Sequence, residues 1–138
     1  MALLGIKQFS HVALNVREIK RSTAFYQNIL GLQVIFETEL PDGIGFSSGV
    51  VTPMGLTIEL IQLTGLVVEV PENISTLAFS VGNLEEAKTA LLSSGVEVKN
   101  EMEFDGVRMF FISDPDGHNI EICQFPGGIS NAAELHGH

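Results

Sequence analysis

Apolar and polar residues alternate along positions 8–16. Val12, Leu14 and Val16 fall on one side of an extended segment, and His11, Ala13 and Asn15 on the other. This is the period of two expected of a strand with one apolar and one mixed face. The period then changes. Ile19, Thr23, Tyr26 and Ile29 or Leu30 recur at helical spacing over residues 17–30, and Gly31 is a natural stop. Strands are expected over Leu32–Leu40, Ile44–Val51 and Leu56–Leu63. Pro41-Asp42-Gly43 supplies a turn, and Thr52-Pro53-Met54-Gly55 joins the last two strands.

The pattern then recurs. Residues 76–84, Thr-Leu-Ala-Phe-Ser-Val-Gly-Asn-Leu, repeat residues 11–19, His-Val-Ala-Leu-Asn-Val-Arg-Glu-Ile. The apolar positions coincide, and His11 matches Thr76. Leu84, Ala87, Lys88 and Leu91 form a second helical stripe ended by Gly95. Strands are expected over Val96–Asn100, Val107–Ser113 and Asn119–Phe125, with a turn at Asp114-Pro115-Asp116-Gly117. Residues 65–74 read as a linker with a short strand at Leu66–Val70, and residues 127–138 as a flexible tail. A segment of this length used twice is one supersecondary unit repeated. The expectation is an α+β fold in one domain, residues 1–138, made of two βαβββ modules at 8–64 and 74–126.

Val12, Leu14, Leu77, Phe79, Ile58, Leu60, Ile120 and Ile122 are expected to lie under the two helices. The opposite faces then carry His11, Asn15, Glu59, Thr76, Ser80, Asn119 and Glu121. A buried carboxylate without a partner costs several kcal/mol or shifts its pKa. The simplest account is a cleft that binds something, with a cation to hold the carboxylates.

Composition narrows the partners. A net charge of −10 excludes a basic patch large enough for nucleic acid or an anionic membrane. The single cysteine, Cys123, leaves no internal disulfide framework and points to a reducing compartment. The amino terminus shows no charged region followed by an apolar signal segment, and no apolar run is long enough to span a bilayer. A cytoplasmic location is expected.

Two stretches carry a resemblance: His11-Val-Ala-Leu-Asn-Val with Phe25-Tyr26-Gln-Asn-Ile-Leu-Gly31-Leu, and Phe111-Ile-Ser-Asp114-Pro115-Asp116-Gly117-His-Asn-Ile-Glu121-Ile. They resemble the vicinal oxygen chelate superfamily, which includes glyoxalase I, methylmalonyl-CoA epimerase, extradiol dioxygenases, fosfomycin-resistance enzymes and bleomycin-binding proteins. The resemblance implies the glyoxalase/bleomycin resistance/extradiol dioxygenase-like fold. It also implies a divalent ion (Ni, Zn, Mn, Fe or Co) held by His11, Glu59 and Glu121, a set suited to hard or borderline metals. Thr76 occupies the fourth ligand position, where metal enzymes of the family usually carry His. Asn15 and Leu63 stand where bacterial glyoxalase I has the Arg and Asn that contact glutathione, which counts against a glutathione hemithioacetal as substrate. A homodimer with shared sites is implied as well.

The functional expectation is a metal-assisted lyase or isomerase, or a dioxygenase, acting on a small substrate with vicinal oxygens. Glu121 and Glu59 are the catalytic carboxylates, with Glu121 argued as general base. Asn15, Phe46, Met109 and Phe111 are expected to line the substrate pocket. The alternative is a metal-free protein of the bleomycin-resistance kind that sequesters a drug. His118 is read as a surface residue of its turn, Arg108 as half of a surface ion pair, and Cys123 as buried filler. His136 and His138 in the tail are read as solvent-facing, with a fold-back that supplies the missing imidazole as the alternative.

Overall fold

The parallel contact between the first and last strands of each unit organises the computed structural model, which describes residues 2–72 and 74–127. The chain divides into two compact units, Met1–Val68 and Glu69–His138. In the first, β1 (His11–Asn15) leads into α1 (Ile19–Ala24), followed by β2 (Gln33–Glu39), β3 (Gly45–Val51) and β4 (Thr57–Leu63). In the second, β5 (Ser75–Ser80) leads into α2 (Leu84–Ser93), followed by β6 (Lys99–Phe104), β7 (Val107–Ser113) and β8 (Asn119–Gln124). The sheet orders are β1-β4-β3-β2 and β5-β8-β7-β6. In both, the first pair is parallel and the others antiparallel. A parallel pair needs a crossover connection, while neighbouring antiparallel strands can be joined by short turns. The two-module α+β architecture expected from the repeat is therefore the one observed.

One face of each sheet holds the core. Leu14, Val16, Val50, Ile58 and Leu60 are buried in the first unit, and Leu84, Leu91, Phe110, Ile112, Ile120 and Ile122 in the second. The helices are tied to this face. Thr23 of α1 shares a 2.8 Å hydrogen bond with Ser48 of β3. The helix starts use a matched device. The backbone N–H of Ile19 donates to Gln62 Oε1 at 2.7 Å, and that of Leu84 donates to Gln124 Oε1, also at 2.7 Å. The next donors of α1, the N–H groups of Lys20 and Arg21, reach the Glu18 carboxylate, and Glu86 N–H of α2 reaches Asn83 Oδ1. These side chains satisfy donors that a helix start leaves without an intrahelical partner. Each glutamine lies three residues after its strand's carboxylate, Glu59 or Glu121.

Three elements differ from the sequence expectation. The first helix is shorter than residues 17–30. After Ala24 it widens into a π-helical turn, Phe25–Ile29, and ends where Leu32 N–H reaches Tyr26 O and Gly31 takes φ 72°. The strand expected at Val96–Asn100 begins at Lys99 instead. Val96 N–H is held at 2.9 Å by Leu91 O at the end of α2, which keeps Val96–Val98 out of the ladder. Strand β6 then runs on to Phe104 and turns through Asp105 and Gly106, both at positive φ. That is the Asp-Gly two-residue hairpin turn whose twist matches its strands. No strand forms at Leu66–Val70. Val68 O there accepts from the Arg17 guanidinium at 2.9 Å. Among the described residues no helix is long and apolar enough to cross a membrane.

The glutamine ties carry a prediction. Gln62→Ala and Gln124→Ala should each cost about 1 kcal/mol, because a part-buried N–H loses its acceptor. Urea denaturation measures this. An unchanged midpoint in both variants would mean that water replaces the side-chain amide.

Candidate functional site

The site residues of the first unit stand on the face of the sheet opposite its core. His11 pairs with Thr57, and Ala13 pairs with Glu59, so the histidine and the carboxylate occupy adjacent rows of one face. His11 Nε2 lies 3.4 Å from Glu59 Oε1. The far side of each group is held: Ser10 Oγ is 2.8 Å from His11 Nδ1, and buried Ser47 donates to Glu59 Oε2 at 2.9 Å. The side chains stay accessible, at 45% exposure for His11 and 27% for Glu59. A histidine whose Nδ1 is engaged and whose Nε2 faces a carboxylate is arranged as a metal-ligating histidine is. Imidazole nitrogen plus carboxylate oxygen suits the borderline divalent ions.

Each carboxylate belongs to a row that crosses all four strands. In the first unit the row is Ala13, Glu59, Gly49 and Phe36. A Cβ on Gly49 would lie 2.2 Å from the Phe36 ring. Glycine is therefore what lets the ring lie against the sheet beside Glu59. In the second unit the matching row is Ala78, Glu121, Phe111 and Lys99. Phe111 and Lys99 line an open cavity of about 850 Å³ together with Ser75, Met102 and Asn119. Lys99 Nζ donates to Ser113 Oγ at 2.6 Å.

The repeat is broken at Thr76. Ser75 pairs with Asn119 and Leu77 with Ile120, so Thr76 is an extra residue between two adjacent partners. In the first unit the residue opposite Thr57 is His11, whereas opposite the equivalent Asn119 it is Ser75. The place of the imidazole is thus shared by two hydroxyl residues. Asn15 is exposed on the His11 face. Met109 and Phe111 share the Glu121 face and are half-buried. Phe46, assigned to the pocket wall from sequence, lies in register with Ser48 and Val50 on the helix-bearing face. There it lines a cavity of about 240 Å³ with Ile19 and Thr23. The aromatic ring beside Glu59 is Phe36. Among the described residues of either unit, no three His, Cys, Asp or Glu side chains gather into a metal cluster.

His118 is buried at 5% exposure, not on the surface. Asp114 Oδ1 accepts from the His118 N–H at 2.9 Å and folds the turn back on itself. Arg108 pairs with Glu85 at 2.5 Å, as a surface ion pair. His136 and His138 lie outside the described residues. Sequence reading missed Ser47, Gly49, Phe36, Ser75 and Lys99. Only Gly49, a glycine inside a strand, carried a local signal of close approach.

Residues 8–122 match the Glyoxalase/Bleomycin resistance protein/Dioxygenase superfamily. The lactoylglutathione lyase of Salmonella typhimurium is 28% identical over 121 residues, which cover 83% of this chain and 90% of that protein. Among solved structures, a mutant of the fosfomycin resistance protein FosX of Listeria monocytogenes, complexed with Mn(II) and 1S,2S-dihydroxypropylphosphonic acid, superposes with a TM-score of 0.68. It is 27% identical and covers 85% of this chain and 91% of its own. The trypanothione-dependent glyoxalase I of Leishmania major gives a TM-score of 0.78 at 23% identity over 95% of both chains, a likeness of fold.

Cys123 provides a pH test of the second unit. Its thiol is buried, and Sγ lies 3.5 Å from Phe79 O. Burial first, then the charge of Glu121 and a hydrogen bond to it, push the pKa from 9.0 up to about 11. The folded state thus holds this proton more tightly than the unfolded chain. The associated stability is fully present below about pH 9 and is lost as pH rises towards about 11. The urea midpoint of the native protein should fall more steeply across that window than that of Cys123→Ala. Parallel declines would contradict the assignment.

Proposed function

The chain belongs to the Glyoxalase/Bleomycin resistance protein/Dioxygenase superfamily, and from that membership we propose that it is a glyoxalase-like metalloenzyme of the lyase or isomerase kind. The substrate is a small molecule with vicinal oxygens and an acidic C–H beside a carbonyl. The observation that carries the reading is the preformed pair of His11 and Glu59, Nε2 and Oε1 3.4 Å apart, with Ser10 and Ser47 holding their far sides. His11, Glu59 and Glu121 would hold a divalent ion, with the Ser75–Thr76 hydroxyls beside the position left by the missing imidazole. When bound, such an ion would polarise the carbonyl and acidify the neighbouring C–H. Glu121 then takes the proton from that carbon and returns it to the adjacent one. Phe36 and Phe111 give the two carboxylate rows an apolar flank. Asn15 and Leu63 in place of the Arg and Asn expected of bacterial glyoxalase I favour a substrate without glutathione. The working form is a cytoplasmic homodimer.

A second reading, a metal-free sequestering protein of the bleomycin-resistance kind, is favoured by the replacement of an imidazole by Ser75 and Thr76. Elemental analysis separates the two. Protein purified without added metal or affinity tag should carry a divalent ion, and Glu121→Gln should lower its content. Ser47→Ala should weaken metal binding roughly 10- to 100-fold, the usual effect of removing a group that orients a ligand. Metal-free protein that binds no added ion would decide for sequestration.

A further inference from the structure

We infer that Lys99 anchors an oxyanion, a carboxylate or phosphonate at one end of the substrate, in the cavity of the second unit. The inference deepens the proposed function, since it takes Glu121 as the group acting at the substrate's other end. It starts from a difference in charge between the two rows. Where the first unit has Phe36, the second has Lys99. A long cation has replaced a ring on the face that carries Glu121, and it lines a cavity of about 850 Å³.

Lys99 is a half-buried cation in an acidic chain. The net charge is −10, with 17 acidic residues against 7 basic. Lys88 is paired with Glu101 at 2.7 Å and Arg108 with Glu85. Half-buried Lys99 instead gives its hydrogen bond to the neutral hydroxyl of Ser113, and among the described residues no carboxylate oxygen lies within 4.0 Å of its Nζ. Glu72 and Glu101 also line the cavity; Glu72 is exposed to solvent, and Oε2 of Glu101 is taken by Lys88. Partial burial of an ammonium without a counter-charge is costly. An anionic ligand would supply that charge while using the two ammonium donors that Ser113 leaves over. Ser75 and Asn119 on the same cavity wall offer further hydrogen bonds, and Phe111 and Met102 offer apolar surface.

Lys99 pairs with Phe111, and Phe111 pairs with Glu121. The Lys99 and Glu121 backbones are therefore two strand spacings apart, about 10 Å, and Lys99 Nζ reaches back to Ser113 on the strand between them. A substrate held by its acid group at Lys99 lies across Phe111 and presents its far end to Glu121. That fits a short-chain acid.

The test uses the full chain, freed of metal by chelation, and follows backbone amide shifts by NMR. Butyrate, propylphosphonate and neutral butyramide are the probes. At least one anion should bind saturably and about tenfold more tightly than the amide, as a charge-assisted hydrogen bond provides. Shifts should centre on Ser75, Lys99, Phe111 and Asn119. The tighter of the two anions identifies the acid group. Lys99→Gln should lose the preference for anion over amide, and Lys99→Arg should keep it, which separates a charge effect from misfolding. Both anions binding no better than butyramide, or Lys99→Gln binding them as the native protein does, would overturn the inference. The titrations need neither metal nor turnover. Their failure removes the subsite alone, whereas failure to bind metal removes the catalytic reading alone.

Discussion

The parallel contact between the first and last strand of each unit is the constraint from which the rest follows. It forces the chain to cross over through a helix and back through two further strands before β4 can lie beside β1, or β8 beside β5. It also sets register. Once Val12 lies opposite Ile58, and Leu77 opposite Ile120, the apolar residues of both strands turn to the helix together. A slip of one residue would send every one of them to the other face. The glutamine that follows each carboxylate ties this pair to the helix start, so strand register and helix position are fixed by one segment.

That same register places the chemistry. An alanine faces Glu59 in one unit and Glu121 in the other. Its small side chain leaves the carboxylate open on one flank. The other flank is where the units diverge: Gly49 with the Phe36 ring in one, Phe111 and then Lys99 in the other. His11 has as its counterpart two hydroxyl residues, Ser75 and the inserted Thr76, in the strand that ought to match it. Repetition supplies the frame, and the departures from repetition supply the differences in charge and shape on which specificity can be built.

Much of this was legible in the residues. The alternation of Val12, Leu14 and Val16 and its echo in Leu77 and Phe79 gave the strands, and the matched carboxylates gave the rows. The nearness of His11 and Glu59 was implied by the family resemblance, which puts ligands on the first and last strand of each unit, and the two side chains do meet. What stayed hidden depended on partners distant in sequence. Phe46 and Phe36 are both aromatic residues on strands, and only the pairing of Phe36 with Gly49 shows which one stands beside Glu59. The insertion at Thr76 leaves alternation within its own strand intact and shows only against Asn119 and Ile120. His118 looked exposed because it follows Asp-Pro-Asp-Gly. Its burial comes from the Asp114 carboxylate, which gathers the N–H groups of Asp116 and His118 into a closed turn.

The proposed function rests on a divalent ion held by His11, Glu59 and Glu121. Anomalous diffraction from crystals grown with Mn²⁺ tests it most directly. The account predicts one ion within ordinary ligand distance of His11 Nε2 and of carboxylate oxygens from both Glu59 and Glu121, with Ser75 or Thr76 beside it. An ion bound by His11 and Glu59 with Glu121 elsewhere, or no ion on this face, would contradict it.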